Sequence, residues 1–202
     1  HPESLTTERN DDDHLVTVSS PETVGKMAGR LMVGIGHSGE FPDDQRADDE
    51  RSLVFDTLPL TRALNIVGQP VLGLSLSADR PVANVAARLC DVHPSGESTL
   101  ITYAVLNLAH RTSNEKPQPL IPGEMYEVDL KLNHIAYRLP ERHRLRLSIS
   151  NAYWPLIWPS PYRDTLTIRL SESRLSLPVK AVLGEPAPSS LQAFESGPSP
   201  HE

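Results

Sequence analysis

Residues 142–161 read Arg-His-Arg-Leu-Arg-Leu-Ser-Ile-Ser-Asn-Ala-Tyr-Trp-Pro-Leu-Ile-Trp-Pro-Ser-Pro and predict a strand followed by a stiff loop. Up to Ser150, apolar residues alternate with arginine and serine, which is the period of a strand with one buried face. The second half holds both tryptophans of the chain, Trp154 and Trp158, each followed by a proline. Proline has no N–H to donate to a sheet ladder. We therefore expect a rigid, apolar loop that presses against another surface.

The same alternation recurs in short segments along the chain. They fall at residues 15–18, 52–55, 64–77, 82–92, 98–109, 125–132, 135–139, 142–150, 164–170 and 174–179. Gly68 and Pro70 divide the 64–77 segment into two strands. The alanines of 82–92 would also suit a helix, but the turn His93-Pro94-Ser95-Gly96 and the alternation beyond it favour a hairpin.

This pattern predicts an all-β fold, namely a two-sheet antiparallel jelly-roll sandwich of the galactose-binding-domain-like kind. The 19 prolines disfavour long helices. The sandwich is expected to occupy residues 14–183, between a polar tail at 1–13 and a Pro/Ser-rich tail at 184–202. Because the chain starts at His1 rather than at a methionine, we expect it to be a piece of a longer protein.

Charge and hydropathy argue against two classes of partner. The net charge of −7 disfavours nucleic acid and anionic membranes, since either would need a basic face. No apolar run reaches the roughly 18 residues that a membrane-spanning helix needs. Cys90 is the single cysteine, which fits a small core residue and leaves the compartment open.

A nucleophile motif is only approximated at Gly36-His37-Ser38-Gly39. A nucleophile elbow needs Gly-x-Ser-x-Gly on a strand-to-helix turn. Glu40 stands where the second glycine is required, and no helical pattern follows. The segment is therefore interpreted as a glycine-rich loop, and no catalytic residue is predicted.

The eight histidines do not predict a metal site. His134 and His143 could lie near each other on neighbouring strands, and His93 and His110 end the two arms of one hairpin. None has the close paired spacing of zinc ligands, and only one cysteine is present. We expect surface or structural histidines, with no metal and no cofactor.

Two charged segments are given structural interpretations. The acids from Asp43 to Glu50 lack the glycine at the sixth position of a calcium loop, so a solvated loop is expected. Arg142, Arg144 and Arg146 alternate on one face, and we expect them to face solvent and pair with the acids of residues 125–132.

Tyr153, Trp154, Trp158 and Tyr162 form the candidate binding site. They could be a platform for stacking sugar rings, as in a free-standing carbohydrate-binding module, or a surface buried against another domain. Aromatic side chains are favoured in both settings. The residues themselves do not separate the two functions.

Several blocks in order resemble the C-terminal domain of the CocE/NonD hydrolases, which include X-Pro dipeptidyl-peptidases, cocaine esterase and α-amino acid ester hydrolases. The blocks are Asp44–Phe55, Ile66–Pro70, Arg88–Gly96, Leu106–Arg111, Leu120–Glu124 and His143–Ser150. The resemblance implies a jelly roll that follows an α/β-hydrolase domain, and in the family the Ser, Asp and His of the triad lie in that other domain.

The resemblance thus implies a non-catalytic accessory domain of a serine hydrolase acting on acyl esters or X-Pro peptides. Its partner would be the α/β-hydrolase domain of the same parent chain, whose substrate cleft it would help to wall. Contacts within a homo-oligomer are left open. The four aromatic residues would then face the docking surface or the cleft.

Overall fold

A computed structural model describes residues 14–29 and 42–180, together with the backbone of two short strands outside these ranges. The strands are β1 (Glu3–Thr6), β2 (Leu15–Val18), β3 (Leu53–Asp56), β4 (Leu64–Gly68), β5 (Val71–Ala78), β6 (Asn84–Val92), β7 (Ser98–Asn107), β8 (Tyr126–Lys131), β9 (Ile135–Leu139), β10 (Arg144–Ser150), β11 (Leu166–Ser176) and β12 (Ala193–Glu195). The helical segments are the single turn α1 (Arg46–Asp49) and 3-10 turns at Lys26–Ala28 and Leu108–His110. No helix in the described ranges is both long and apolar enough to cross a membrane.

The strands form two main sheets, which confirms the predicted all-β sandwich. One sheet has the order β12-β1-β3-β10-β6-β7, and the other has the order β2-β11-β5-β8. Pairing is antiparallel except between β1 and β3. Neighbouring strands are far apart in sequence, as β3 and β10 show, which is the crossover pattern expected of a jelly roll.

One hydrophobic core lies between the sheets. It receives the inward residues of β6 and β10, including Leu89 and Leu147, and those of β5 and β11, including Leu74 and Ile168. A separate ribbon of β4 and β9 adds further apolar side chains, among them Leu139. Cys90 is buried, as the sequence predicts.

The outer face of β10 is covered, although the sequence predicts that it faces solvent. Ser148 is fully buried, and its hydroxyl donates to Asp49 Oδ1 on α1 at 2.7 Å. Arg146 binds Asp56 with both ends of its guanidinium, at 2.6 and 2.7 Å. The predicted pairing with the acids of residues 125–132 is wrong, because β8 lies in the other sheet and β10 lies between β3 and β6.

A buried network of charges joins α1 to this face. Arg88 on β6 is fully buried, and its guanidinium nitrogens lie 3.2 Å from Asp49 Oδ1 and 3.7 Å from Asp48 Oδ2. It also donates to Gln45 Oε1 at 3.2 Å and to Ser52 Oγ at 2.9 Å. A buried guanidinium needs such partners. The expectation of a solvated acidic loop is therefore wrong for Asp48 and Asp49.

Three other predictions differ in detail from the structure. The segments at 164–170 and 174–179 are largely one strand, β11, whose pairing with β5 shifts register between Arg169 and Arg174. The predicted tails contribute β1 and β12, which pair with each other. The loop around Ser38 lies outside the described residues.

Candidate functional site

The tryptophan loop is fastened at both ends by one buried side chain. Asn151, directly after β10, donates through Nδ2 to the carbonyl oxygen of Asp164 at 2.8 Å. Its Oδ1 accepts from the backbone N–H of Ser20 at 2.6 Å. The two ends of the loop and the segment after β2 are thus held at one point.

The middle of the loop is held by backbone contacts. Trp154 donates its N–H to the carbonyl of Val24 at 2.8 Å. Gly25 has a φ of 107°, and a Cβ there would lie 2.3 Å from the carbonyl oxygen of Trp154. The approach therefore requires glycine, on grounds of both space and conformation. Asn84 Nδ2 donates to the Trp158 carbonyl at 3.2 Å, so the loop is fixed on its other side too.

Tyr153 belongs to the interior rather than to the loop surface. It is buried, with its ring centroid 5.6 Å from that of Tyr103 and 5.7 Å from the Arg88 guanidinium carbon. Burial raises the pKa of its hydroxyl, so the group stays neutral. Its prediction as a docking residue is corrected, because its position directly after the buried strand β10 turns the ring inward.

The other three predicted aromatic residues are exposed, and we call Trp154, Trp158 and Tyr162 the aromatic corner. Trp158 is 80% exposed, Tyr162 50% and Trp154 38%. The two indole rings meet edge to face, with centroids 5.4 Å apart and an interplanar angle of 75°. Beside them lies a groove of about 390 Å³, lined by Glu22, Thr23, Lys26, Trp154, Trp158 and Pro159.

A second groove, of about 370 Å³, adjoins the first and shares Glu22 and Pro159 with it. Tyr162, Arg163 and Asp164 line its far side. Burial raises the pKa of the Asp164 carboxyl above its ordinary 3.8, against the opposing effect of the hydrogen bond from Asn151. The corner thus combines an apolar face with a polar flank.

A second cluster, which the sequence analysis did not assemble, lies where β6 and β10 end. Asp91 Oδ1 lies 2.7 Å from His143 Nδ1, and Asp91 Oδ2 lies 4.0 Å from His93 Nε2. The two imidazole centroids are 4.7 Å apart, and Tyr137 on β9 donates to Asp91 Oδ2 at 2.8 Å. The signal was the strand register: Val92 pairs with Arg144, so the next residues on each strand come together.

Comparison with known proteins identifies the family. Residues 2–192 match the family described as the X-Pro dipeptidyl-peptidase C-terminal non-catalytic domain. The chain belongs to this family. The resemblance predicted from the sequence blocks is therefore confirmed.

Relatives of this C-terminal domain are parts of longer proteins. A Mycobacterium bovis protein named as a serine esterase is 27% identical over 188 residues, covering 83% of this chain and 30% of that protein. Cocaine esterase of a Rhodococcus species is 25% identical over 146 residues, covering 71% of this chain and 25% of that enzyme. The solved structure of an α-amino acid ester hydrolase matches with a TM-score of 0.63 and 25% identity, over 68% of this chain and 27% of that one. The chain spans 30% or less of the curated relatives that it matches.

Proposed function

We propose that this C-terminal domain is the accessory part of a serine hydrolase that acts on acyl esters or X-Pro peptides. In this proposal the aromatic corner packs on the α/β-hydrolase domain of the parent chain and helps to wall its substrate cleft. Family membership supports the accessory role, and the relatives' greater length leaves room for a catalytic domain.

The observation that carries the docking proposal is an indole that is exposed yet held in place. Trp158 is 80% exposed, while Asn84 binds its carbonyl and the loop ends are fastened through Asn151. A pre-ordered loop loses little backbone entropy when it is buried. A tryptophan buries up to about 250 Å², which at about 25 cal/mol per Å² gives an upper bound of about 5 kcal/mol for Trp158.

The geometry favours docking over carbohydrate binding. A stacking platform for sugar rings would present one continuous aromatic plane. Trp154 and Trp158 instead meet at 75°, so that the pair offers an edge and a face to any ligand. Such a corner fits an irregular apolar protein surface better than a flat sugar ring.

The test compares one substitution in two settings, the isolated chain and the parent polypeptide. We expect Trp158→Ala to change the stability of the isolated chain by less than about 0.5 kcal/mol, because the ring is exposed there. In the parent it should lower the melting temperature by at least about 2 °C and raise KM more than it lowers kcat.

Leu58→Ala is the matched control, since Leu58 is 82% exposed and does not line the grooves of the aromatic corner. It should leave both proteins unchanged. Equal behaviour of the two variants in the parent would refute docking through the corner.

A further inference from the structure

We propose that Asp91, His93 and His143 form a binding site for a zinc ion. Among the described residues, this is a set of three potential ligands whose donor atoms all lie within 4.8 Å of one another. It lies on different strands and loops from those that form the aromatic corner, so the proposal does not rest on the docking function.

The donor types and their spacing suit zinc. Two imidazole nitrogens and a carboxylate oxygen form a ligand set common in zinc sites that keep a fourth position for water. At zinc–ligand distances of about 2.0–2.1 Å, tetrahedral ligand atoms lie about 3.4 Å apart. The observed separations from Asp91 to His143 and to His93, 2.7 and 4.0 Å, lie on either side of that value. Shifts of under about 1 Å would therefore close the site.

The charge of Asp91 supplies an independent reason. Its register partner on β10 is the core residue Leu145, so its side chain continues the inward-facing row of β6. It is only 2% exposed, and no arginine or lysine of the described residues lies within ion-pair distance. A carboxylate in such a place is normally paired with a cation or bound to a metal. A zinc ion between the imidazoles and the carboxylate would provide that cation.

The surroundings hold the ligands in place. Tyr137 donates to Asp91 Oδ2, as groups behind metal ligands commonly do to orient a carboxylate. Burial, together with Asp91, raises the pKa of Tyr137, so the hydroxyl keeps the proton that it donates. The backbone of His93 is fixed in the β6–β7 turn by hydrogen bonds to Glu97 and Gly96. The His93 ring is partly exposed, which gives an ion a path of entry from solvent.

The test is calorimetric titration of the chain with ZnCl₂, with cobalt absorption to report the coordination geometry. We expect one zinc per chain, a raised melting temperature with zinc, and the visible absorption of tetrahedral Co²⁺. His93→Gln should weaken zinc binding more than 100-fold, and Tyr137→Phe by about 10-fold, because the first removes a ligand and the second a group that orients one.

His134→Gln is the matched control, since His134 is exposed and lies outside the cluster. It should bind zinc as the unsubstituted chain does. Circular dichroism without metal establishes that each variant is folded. Failure of the folded, unsubstituted chain to bind one zinc would overturn the proposal, as would binding that is unchanged in His93→Gln.

Discussion

Replacing Asp49 by asparagine perturbs the most connected buried group described in the molecule. Its carboxylate accepts hydrogen bonds from Ser98 Oγ at 2.8 Å and Ser148 Oγ at 2.7 Å. It also lies 3.2 Å from the guanidinium nitrogens of both Arg88 and Arg146. Asparagine keeps the shape of the side chain but removes the charge and one of the two acceptor oxygens.

The size of the effect follows from what is left without a partner. Arg88 has no exposure to solvent, and its remaining carboxylate partner, Asp48, lies at 3.7 Å. Removing one member of a buried ion pair typically costs about 3–5 kcal/mol, because the other charge stays buried. At least one hydroxyl also loses its acceptor, at about 1 kcal/mol. We therefore expect Asp49→Asn to lower the free energy of unfolding by about 3–5 kcal/mol, out of a total of about 5–15 kcal/mol for a domain.

Urea denaturation followed by circular dichroism measures this change. The midpoint should fall while the slope of the transition stays the same, since the surface exposed on unfolding is unchanged. Asp44→Asn is the control: its salt bridge with Arg46 is solvent-exposed, so it should cost less than about 1 kcal/mol. If the two variants lose the same small amount, the network does not stabilise the fold and our account of α1 is refuted.

Two further predictions follow from buried titratable groups. Burial raises the pKa of the Cys90 thiol to about 12, so a thiol reagent at about pH 8 should leave the native chain unmodified and react with the unfolded chain. Burial also raises the pKa of Asp164 above 3.8, so the native state binds this proton more tightly than the unfolded chain does. The resulting stabilisation is lost as pH rises through the folded pKa. Relative to the unsubstituted chain, Asp164→Asn should therefore gain stability between about pH 4 and about pH 7, as urea midpoints across that range would show; a constant difference would contradict this.

Sequence periodicity was informative where one face of a strand meets the core, and it failed where a loop covers the other face. Leu145, Leu147 and Ile149 predict the inner face of β10 correctly, because a period of two is a local property. The burial of Ser148 depends on α1, which reaches β10 from 99 residues away. No local pattern records such a contact. For the same reason arginines on β10 could be predicted to pair with acids, but not with which ones.

The candidate site shows the same division between local and long-range information. That Trp154 and Trp158 lie on a stiff loop could be predicted from their prolines. That Tyr153 turns inward could not, because its neighbour Arg88 lies on a strand distant in sequence. The convergence of His93 with His143 likewise needed the register of β6 and β10.

The buried network and the aromatic corner are mechanically connected. Asp48 Oδ2 accepts the N–H of Met27 at 3.0 Å, and Gln45 Nε2 donates to the Met27 carbonyl at 2.6 Å. The same short segment presents the Val24 carbonyl to Trp154. Segment 24–27 is therefore clamped between the charges on one side and the tryptophan loop on the other. Since binding through a pre-ordered surface avoids the entropy of ordering it, the buried charges contribute to docking as well as to stability, although none of them lines the grooves of the corner.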